Sequence, residues 1–379
     1  MEIGGIVMNK IFGIIIASDK DDKLDDLTLV RTTASVPFGG RYRCVDFTLS
    51  NLVNSNISSV GIVTRYNYAS LMDHIRMGRD WDLNRMNGGI TVFPPFAQIN
   101  SKSVFKDKIE AIYGIKSFMQ EKVKEEYVVI TNSNIISSIN YQNILSEHIN
   151  NNADITMLTY TNKPNSQKKL IVELDDKNKV KSAKISRQAS DEDAEIGINA
   201  YLMKKSLLLD LIIDNYENGN LDFDKYIIQK NIDKLNIYAH HVVEHCAILD
   251  DINTYYNESM ALLNKDIRDS LFNGKGGKIY TRIKGSAPTR YESGAKIKNS
   301  LIADGCVIAG TVENSILFRG VKVQNGAVIK NSIIMEDGTV EADAVLDYVI
   351  TDKDVVITKG VELKGISKQI TVISKGKRI

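Results

Sequence analysis

The sequence of 379 residues lacks an excess of basic charge, long apolar runs and paired cysteines, and each absence argues against a class of function. Its 48 basic and 47 acidic residues nearly cancel, so it lacks the basic surface that binds nucleic acid or an anionic membrane. No apolar run reaches the length of a membrane span, and the first ten residues do not resemble a secretory signal. The only three cysteines, Cys44, Cys246 and Cys306, form no CxxC pair, which argues against a disulfide framework or a zinc site. We therefore expect a cytoplasmic protein that binds small molecules or other proteins.

Short apolar runs that alternate with helical stretches indicate an α/β domain in the first two thirds of the chain. IFGIIIA (11–17) and EYVVIT (126–131) have the composition of buried parallel strands, and YQNILSEHINNN (141–152) has that of a helix. Such alternation is typical of a mostly parallel sheet covered by helices. We therefore predict a Rossmann-like α/β domain over residues 9–245.

The last third of the chain has a different, repetitive pattern. Its repeated segments are KNSLI, ENSIL, KNSII and DYVIT, which begin at residues 298, 313, 330 and 347. A β-branched residue near every sixth position predicts a parallel β-helix of hexapeptide repeats over residues 286–379. A β-sandwich is the alternative, but turn pairs at hairpin spacing are scarce. Between the two domains we predict a helical linker over 246–285, in which 252–272 form one amphipathic helix.

The turn after the first predicted strand is strongly acidic. In many α/β folds this strand-to-helix turn holds a phosphate on backbone amides. Here SDKDDKLDDLT (18–28) contains five aspartates and two lysines. At an effective dielectric constant near 20, two like charges ~4 Å apart repel by roughly 4 kcal/mol before screening. We therefore expect this turn to reject a phosphorylated ligand.

Three longer stretches resemble glucose-1-phosphate adenylyltransferase, the ADP-glucose pyrophosphorylase of bacterial glycogen synthesis. They are VPFGGRYRCVDFTLSNLVNSNI (36–57), WDLNRMNGGITVFPPF (81–96) and NSLIADGCVIAGTVENSILFRGV (299–321). The resemblance covers nearly the whole chain. It implies a nucleotidyltransferase domain of the GT-A-like type with a mostly parallel sheet, followed by a left-handed parallel β-helix of hexapeptide repeats.

Measured against that family, the nucleotide-binding turn is degenerate. The family motif GGxGxRLxxLT aligns so that its glycines fall on Ser18, Asp19 and Asp21, and its arginine falls on Lys23. The lysine of the family's KRAKPA motif aligns with Thr33. Side chains at glycine positions obstruct the close approach of the backbone to a triphosphate. The resemblance therefore implies that ATP binding is lost.

The positions that would hold magnesium and the sugar phosphate are altered as well. The two metal aspartates of the family align with Asn134 and Ile248. The sugar-phosphate lysine falls near Arg187, and a glycine and threonine of the loop WYxGTAxA are replaced by Asp107 and Lys108. Magnesium depends on carboxylates and substrate phosphates for most of its binding. No metal ligand and no catalytic residue are therefore assigned to this chain.

Together these changes imply a non-catalytic, GlgD-type regulatory subunit that needs no cofactor of its own. The resemblance implies a catalytic adenylyltransferase subunit as its partner, with magnesium bound there, in a hetero-oligomer that we expect to be a tetramer. Assembly of this chain alone into a homo-oligomer is a further expectation. The alternative is an active nucleotidyltransferase that makes ADP-glucose from ATP and glucose 1-phosphate, with Asp250 or Asp251 as the metal ligand of a rearranged site.

Two retained motifs have open interpretations. In FGGRYR, Arg41 takes the position of the basic residue that helps the family bind phosphorylated activators, so Arg41 and Arg43 are candidates for a sugar-phosphate effector site. An ion-paired role at a subunit contact is the alternative. The motif MNGG is either a vestige of the nucleotide site or a turn before a strand; its residues are Met86, Asn87, Gly88 and Gly89.

The residues raise three further possible functions. HVVEH (241–245) matches a zinc-peptidase pattern, but that chemistry requires a helix, and the alternating flanks predict strands instead. Acyl transfer by the hexapeptide repeats lacks its usual base because no histidine follows His245. A purely sensory subunit would bind a sugar phosphate at Arg41 without affecting assembly.

Overall fold

The structure is a computed structural model that describes residues 10–17, 23–86, 88–95, 105, 107–274 and 276–379. Its first unit is an α/β domain whose strands are β1 (Ile11–Ile16), β2 (Pro37–Phe38), β3 (Tyr42–Arg43), β4 (Ser59–Val63), β5 (Gly89–Phe93), β6 (Tyr127–Asn132), β7 (Ile135–Ile136), β8 (Ile155–Asn162), β9 (Lys169–Leu174), β10 (Val180–Ser186), β11 (Ala194–Lys204), β12 (Ile237–His241) and β13 (Ala247–Ile248). The helices are α1 (Cys44–Asn54), α2 (Ala69–Ile75), α3 (Lys108–Tyr113), α4 (Lys116–Glu121), α5 (Tyr141–Asn150), α6 (Lys205–Glu217), α7 (Ile252–Ala261) and α8 (Lys265–Phe272).

A nine-stranded sheet forms the centre of this unit. Its order is β10-β9-β11-β6-β1-β4-β5, and β8 and β12 continue from β11. The strands β6, β1, β4 and β5 are parallel, whereas β11 runs antiparallel to β6. The apolar run of β1 is buried at every residue because helices cover both faces of the sheet. The predicted α/β domain is confirmed.

The second unit is a coil of three parallel sheets with five strands each. Its strands are β14 (Arg290–Tyr291), β15 (Lys296–Lys298), β16 (Leu301–Ile302), β17 (Val307–Ile308), β18 (Thr311–Glu313), β19 (Ile316–Leu317), β20 (Lys322–Val323), β21 (Val328–Lys330), β22 (Ile333–Ile334), β23 (Thr339–Val340), β24 (Val345–Asp347), β25 (Val349–Thr351), β26 (Val356–Ile357), β27 (Glu362–Lys364) and β28 (Thr371–Ile373). Each strand pairs with its equivalent one coil later, which stacks Val312, Ile329 and Leu346 in one apolar column. The hexapeptide β-helix is confirmed.

Residues 252–272 form two helices, not the one helix that the sequence predicts. The first ends at Ala261, and Asn264 begins the second because its side chain accepts a hydrogen bond from the backbone N–H of Asp266 at 2.8 Å. A capping asparagine satisfies a free helix donor and so favours a new helix start. These helices lie between the two units: Tyr256 donates a hydrogen bond to the carbonyl oxygen of Asn331 in the β-helix at 2.7 Å.

None of the helices in the described ranges combines the length and the apolar character that crossing a bilayer requires.

Candidate functional site

A polar pocket lies beyond the carboxyl end of β6. It is lined by Asp107, Lys108, Asn132, Asn134, Gln167, Lys168, Lys169, Asn199, Phe223, Asp224, Ile248 and Asp250. The cavity that these side chains leave has a volume of 30 Å³. The described side chains therefore leave little enclosed space between them.

The two positions predicted for the metal aspartates lie together in this pocket. The strands β7 and β13 pair antiparallel, with Ile248 opposite Ile135, so Asn134 and Ile248 are brought to one wall. The side-chain amide of Asn134 donates a hydrogen bond to the carbonyl oxygen of Leu249 at 3.2 Å. The amide of Asn134 and the aliphatic side chain of Ile248 supply no negative charge, whereas magnesium is bound through carboxylates. These residues do not fit a resident magnesium ion.

Asp250, two residues after Ile248, also lines the pocket, and its carboxylate is already paired. It is 7% exposed, and its Oδ2 atom lies 2.5 Å from the Nζ atom of Lys169, which is 5% exposed. Its Oδ1 atom accepts a hydrogen bond from the amide of Asn165 at 3.1 Å. Asp251 begins α7 instead, because its Oδ1 atom accepts from the backbone N–H of Thr254 at 2.7 Å. Both aspartates therefore have structural partners.

A second ion-pair cluster forms the other side of the pocket. Lys168 lies 2.8 Å from the Oδ2 atom of Asp224 and 3.0 Å from Asp222. Tyr201 donates a hydrogen bond to Asp224 at 2.8 Å. Burial alone would raise the pKa of Asp224, but the ammonium groups of Lys108 and Lys168 lower that pKa to about 2. The carboxylate is therefore ionised at neutral pH, and it holds Lys168 in place.

A bulge in β11 adds a further polar group to the pocket. The pairing of β11 with β8 shifts between Gly197 and Tyr201, and Asn199 within this interval has a φ of +61°. Bulges redirect side chains, and here the Oδ1 atom of Asn199 accepts a hydrogen bond from Lys108 at 2.5 Å. Lys108 is thus held inside the wall, where the sequence comparison expects a threonine of the nucleotide loop.

Sequence reasoning missed the lysine pair and Asp224. The residues QKK (167–169) lie directly before the apolar run of β9. Lys168 and Lys169 meet Asp224 and Asp250, which are more than 50 residues away in the sequence. A composition or spacing argument cannot find such partners. The only signal was two adjacent lysines at the start of a buried strand.

The acidic nucleotide turn is only partly described. Asp19 and Asp21 lie outside the described residues. Lys23 is exposed, and its backbone N–H donates to the carbonyl oxygen of Asp250 at 2.8 Å, which ties the end of the turn to the pocket. Thr33 is buried at the start of the short helix Thr33–Ser35, next to the carboxyl end of β1. No cation is contributed by Thr33.

Two other predicted positions lie apart from the pocket chemistry. Arg187 is exposed beyond the end of β10, and it is not among the described residues that line the pocket. Asp107 begins α3, where its Oδ1 atom accepts a hydrogen bond from the backbone N–H of Lys108 at 2.7 Å. The structure therefore gives Asp107 a capping role at the rim. The lysines that face the cavity come from α3 and the start of β9 instead.

The effector candidates Arg41 and Arg43 differ in their surroundings. Gly39 and Gly40 have φ values of +61° and +81° and form the tight turn between β2 and β3. Arg41 is exposed at this turn, with its guanidinium carbon 5.6 Å from the ring centroid of Tyr42. Arg43 is buried and donates hydrogen bonds to the carbonyl oxygen of Ser70 at 2.7 Å and to its hydroxyl at 3.0 Å.

A cluster of charged side chains surrounds Arg43 where the two units meet. Glu336 of the β-helix lies 2.7 Å from the ammonium group of Lys353. Burial would raise the pKa of Glu336, but Lys353, Lys284 and Arg43 lower it to about 2. Burial and the nearby Arg43 lower the pKa of Lys353 to about 8, although Glu336 opposes this shift. Glu336 is thus the acid that pairs with both Lys353 and Lys284 in this cluster.

Gly88 and Gly89 of the MNGG segment lead into β5. Met86 is fully exposed, Asn87 lies outside the described residues, and Gly89 begins β5. Gly88 has a φ of +96°, and a Cβ atom there would lie 2.7 Å from the carbonyl oxygen of Ser58. Glycine is therefore required by the backbone itself.

The HVVEH segment is not helical. His241 ends β12, and its Nδ1 atom lies 2.8 Å from the carboxylate of Glu195. His245 pairs with Glu258 at 2.9 Å. The strand interpretation is confirmed, and the histidines face different acids. Within the part of the chain that the structure describes, no group of three or more potential metal ligands is found.

Comparisons with known proteins identify both units. A sequence profile of the nucleotidyl transferase family matches residues 12–236, and a profile described as GlmU-like, C-terminal hexapeptide, matches residues 287–369. The glycogen biosynthesis protein GlgD of Bacillus subtilis is 33% identical over 97% of this chain and 96% of its own length. GlgD of Geobacillus stearothermophilus is 36% identical over 85% of this chain and 83% of its own. Glucose-1-phosphate adenylyltransferase of Bacillus mycoides is 29% identical over 97% of this chain and 99% of its own.

Proposed function

Because the chain belongs to the glucose-1-phosphate adenylyltransferase family, with GlgD proteins among its relatives, we propose that it acts in glycogen biosynthesis as a regulatory, non-catalytic subunit. In this role it joins a catalytic adenylyltransferase subunit in the cytoplasm and alters that subunit's turnover or its response to activators. The chain itself transfers no AMP from ATP to glucose 1-phosphate.

The state of the polar pocket carries this proposal. Asn134 and Ile248 stand where the family resemblance places metal aspartates, and the neighbouring Asp250 is bound to Lys169. Transfer of a nucleotidyl group depends on a divalent cation that neutralises the phosphates and aligns them. These features support a chain that does not catalyse nucleotidyl transfer.

The intact β-helix supports the proposal of a partner subunit. It keeps its apolar columns, and in the described part of the chain its outer strands β14 and β28 each pair with a named strand on one side only. We propose that a catalytic subunit assembles with this chain in a heterotetramer and that magnesium is bound only there. Arg41, which is exposed, is the proposed contact for a sugar-phosphate effector, whereas Arg43 holds the local structure.

The active-enzyme alternative requires Asp250 or Asp251 to bind the metal. Asp251 would have to leave the N-terminus of α7, and Asp250 would have to release Lys169. Removing one partner of a buried pair is strongly unfavourable because it leaves an uncompensated charge. The regulatory role therefore accounts better for the contacts of both aspartates.

The proposal is tested with the full chain, the catalytic subunit of the same organism, and the two expressed together. Native mass measurement is expected to give a mixed complex, and synthesis of ADP-glucose by that complex is expected to differ from that of the catalytic subunit in rate or in activator response. If the two chains do not associate, or if association leaves rate and activator response unchanged, the regulatory proposal is wrong.

A further inference from the structure

We infer that the ammonium group of Lys169 takes the place of a divalent cation in the polar pocket and so excludes that cation from Asp250. The inference deepens the proposed function and rests on it, since it names the group that disables the metal position. It concerns the binding properties of this chain alone.

The geometry supports this substitution at three points. The Nζ atom of Lys169 lies 2.5 Å from the Oδ2 atom of Asp250, and both side chains are at least nine-tenths buried. Asp250 follows β13 directly after Ile248 and Leu249, so its carboxylate is the acid closest in sequence to the degenerate metal position. The amide of Asn165 occupies the second carboxylate oxygen at 3.1 Å. Each oxygen of Asp250 is thus already bound by a donor from this chain.

The electrostatics of the pocket favour the ammonium group over a metal ion. On the opposite side, Asp224 is held by Lys168 in the same way. Each of these two buried carboxylates is therefore paired with an internal ammonium group. A divalent ion at Asp250 would have to displace Lys169 and leave its ammonium group buried beside the ion. An unpaired charge in such a place is strongly disfavoured. A wild-type chain should not bind a divalent cation here.

The pocket also retains oxygen atoms that could serve a cation once the lysine is removed. The Oε1 atom of Gln167 lies in the buried wall and accepts no hydrogen bond from the residues that the structure describes. Carboxylate and amide oxygens together are suitable ligands for Mn²⁺ and Mg²⁺. Replacing Lys169 by an apolar residue of similar length should therefore convert an ion pair into a weak cation site.

The test titrates Mn²⁺ alone into the full chain and measures free Mn²⁺ by electron paramagnetic resonance. Lys169→Met is expected to bind one Mn²⁺ ion at least about tenfold more tightly than the wild type and to melt at a higher temperature when Mn²⁺ is present. The double variant Lys169→Met/Asp250→Asn is expected to lose the gained site. Lys364→Met is the matched control, because it frees the exposed acid Glu362 from its pair and should gain nothing.

Two results would overturn the inference. The first is a wild-type chain that binds Mn²⁺ as tightly as Lys169→Met and loses this binding in Asp250→Asn. The second is a Lys169→Met chain that binds no Mn²⁺ when folded, or stays unfolded with Mn²⁺ while the double variant folds. Neither result tests the regulatory role. That role is tested separately, by the assembly and the activity of the mixed complex.

Discussion

The guanidinium group of Arg31 in the α/β unit lies 2.8 Å from the Oδ1 atom of Asp352 in the β-helix, and the two side chains are 2% and 0% exposed. The same Nη1 atom donates to the carbonyl oxygen of Leu27 at 3.2 Å. A fully buried pair of this kind fixes one orientation, because each charge depends on the other for compensation. Arg31 and Asp352 therefore form a buried contact between the two units.

Breaking this pair from one side should destabilise the whole chain. Asp352→Asn leaves the Arg31 cation buried without its counter-charge, and we expect a loss of about 3–5 kcal/mol in the free energy of unfolding. Urea denaturation followed by circular dichroism measures this loss. Glu362→Gln, which removes an exposed pair with Lys364, is the control and should cost at most about 1 kcal/mol. Equal effects of the two variants would show that the Arg31 pair does not join the units.

The free energy of unfolding should decrease at acid pH, because Asp224 becomes protonated. Its pKa of about 2 in the folded chain is below the ordinary value of 3.8, so its contribution is present above pH 3.8 and is lost as the pH falls through about 2. The shift corresponds to about 2 kcal/mol at neutral pH, of which about 1 kcal/mol disappears between pH ~5 and pH ~3. Urea denaturation at these two pH values should show a smaller decrease for Asp224→Asn than for the wild type. An unchanged pH dependence in the variant would contradict this assignment.

The two arginines of the FGGRYR turn should respond differently to substitution. Arg41→Ala is expected to weaken the activator response of the mixed complex while leaving the stability of this chain nearly unchanged, because Arg41 is exposed. Arg43→Ala should instead lower stability by about 1–3 kcal/mol, since it removes the donors to Ser70. Activator titrations and urea denaturation separate these effects. Full activator response in Arg41→Ala would remove both the effector assignment and the sensory hypothesis.

Gly88 of the MNGG segment should be required for the stability of the chain. Gly88→Ala adds a Cβ atom 2.7 Å from the carbonyl oxygen of Ser58 at a positive φ, whereas Gly360, also at positive φ, has nothing within 4 Å of that position. Gly360→Ala should therefore cost about 1 kcal/mol for its backbone strain alone, and Gly88→Ala should cost about 1–3 kcal/mol more for the clash. The difference is measured by urea denaturation. Equal costs would mean that the contact with Ser58 relaxes freely.

Local patterns predicted the fold well, and the site only in part. The runs at 11–17 and 126–131 became β1 and β6 because buried parallel strands need continuous apolar sequence, and the repeat after residue 298 became stacked coils because its period matches the sides of a β-helix. The break at Leu262–Asn264 was missed because a capping asparagine within an amphipathic pattern is a weak signal.

The chemistry of the pocket was beyond the reach of such patterns. Alignment to family motifs places Asn134 and Ile248 at the positions of the metal aspartates, and the structure brings these two residues to one pocket. The pairing of Lys169 with Asp250 depends on how β9 and the end of β13 are placed in space, because these two residues are 81 positions apart in the sequence. Only the folded chain shows that an internal cation neutralises the acid that could have bound a metal.

The most direct test of the account is the activity of the mixed complex after the catalytic partner has lost its own metal aspartates by substitution with asparagine. The account predicts that ADP-glucose synthesis from ATP, glucose 1-phosphate and Mg²⁺ falls to background in a complex that still assembles, because the present chain supplies no chemistry. Substantial ADP-glucose synthesis by that complex would contradict it, since the activity would then have to come from this chain.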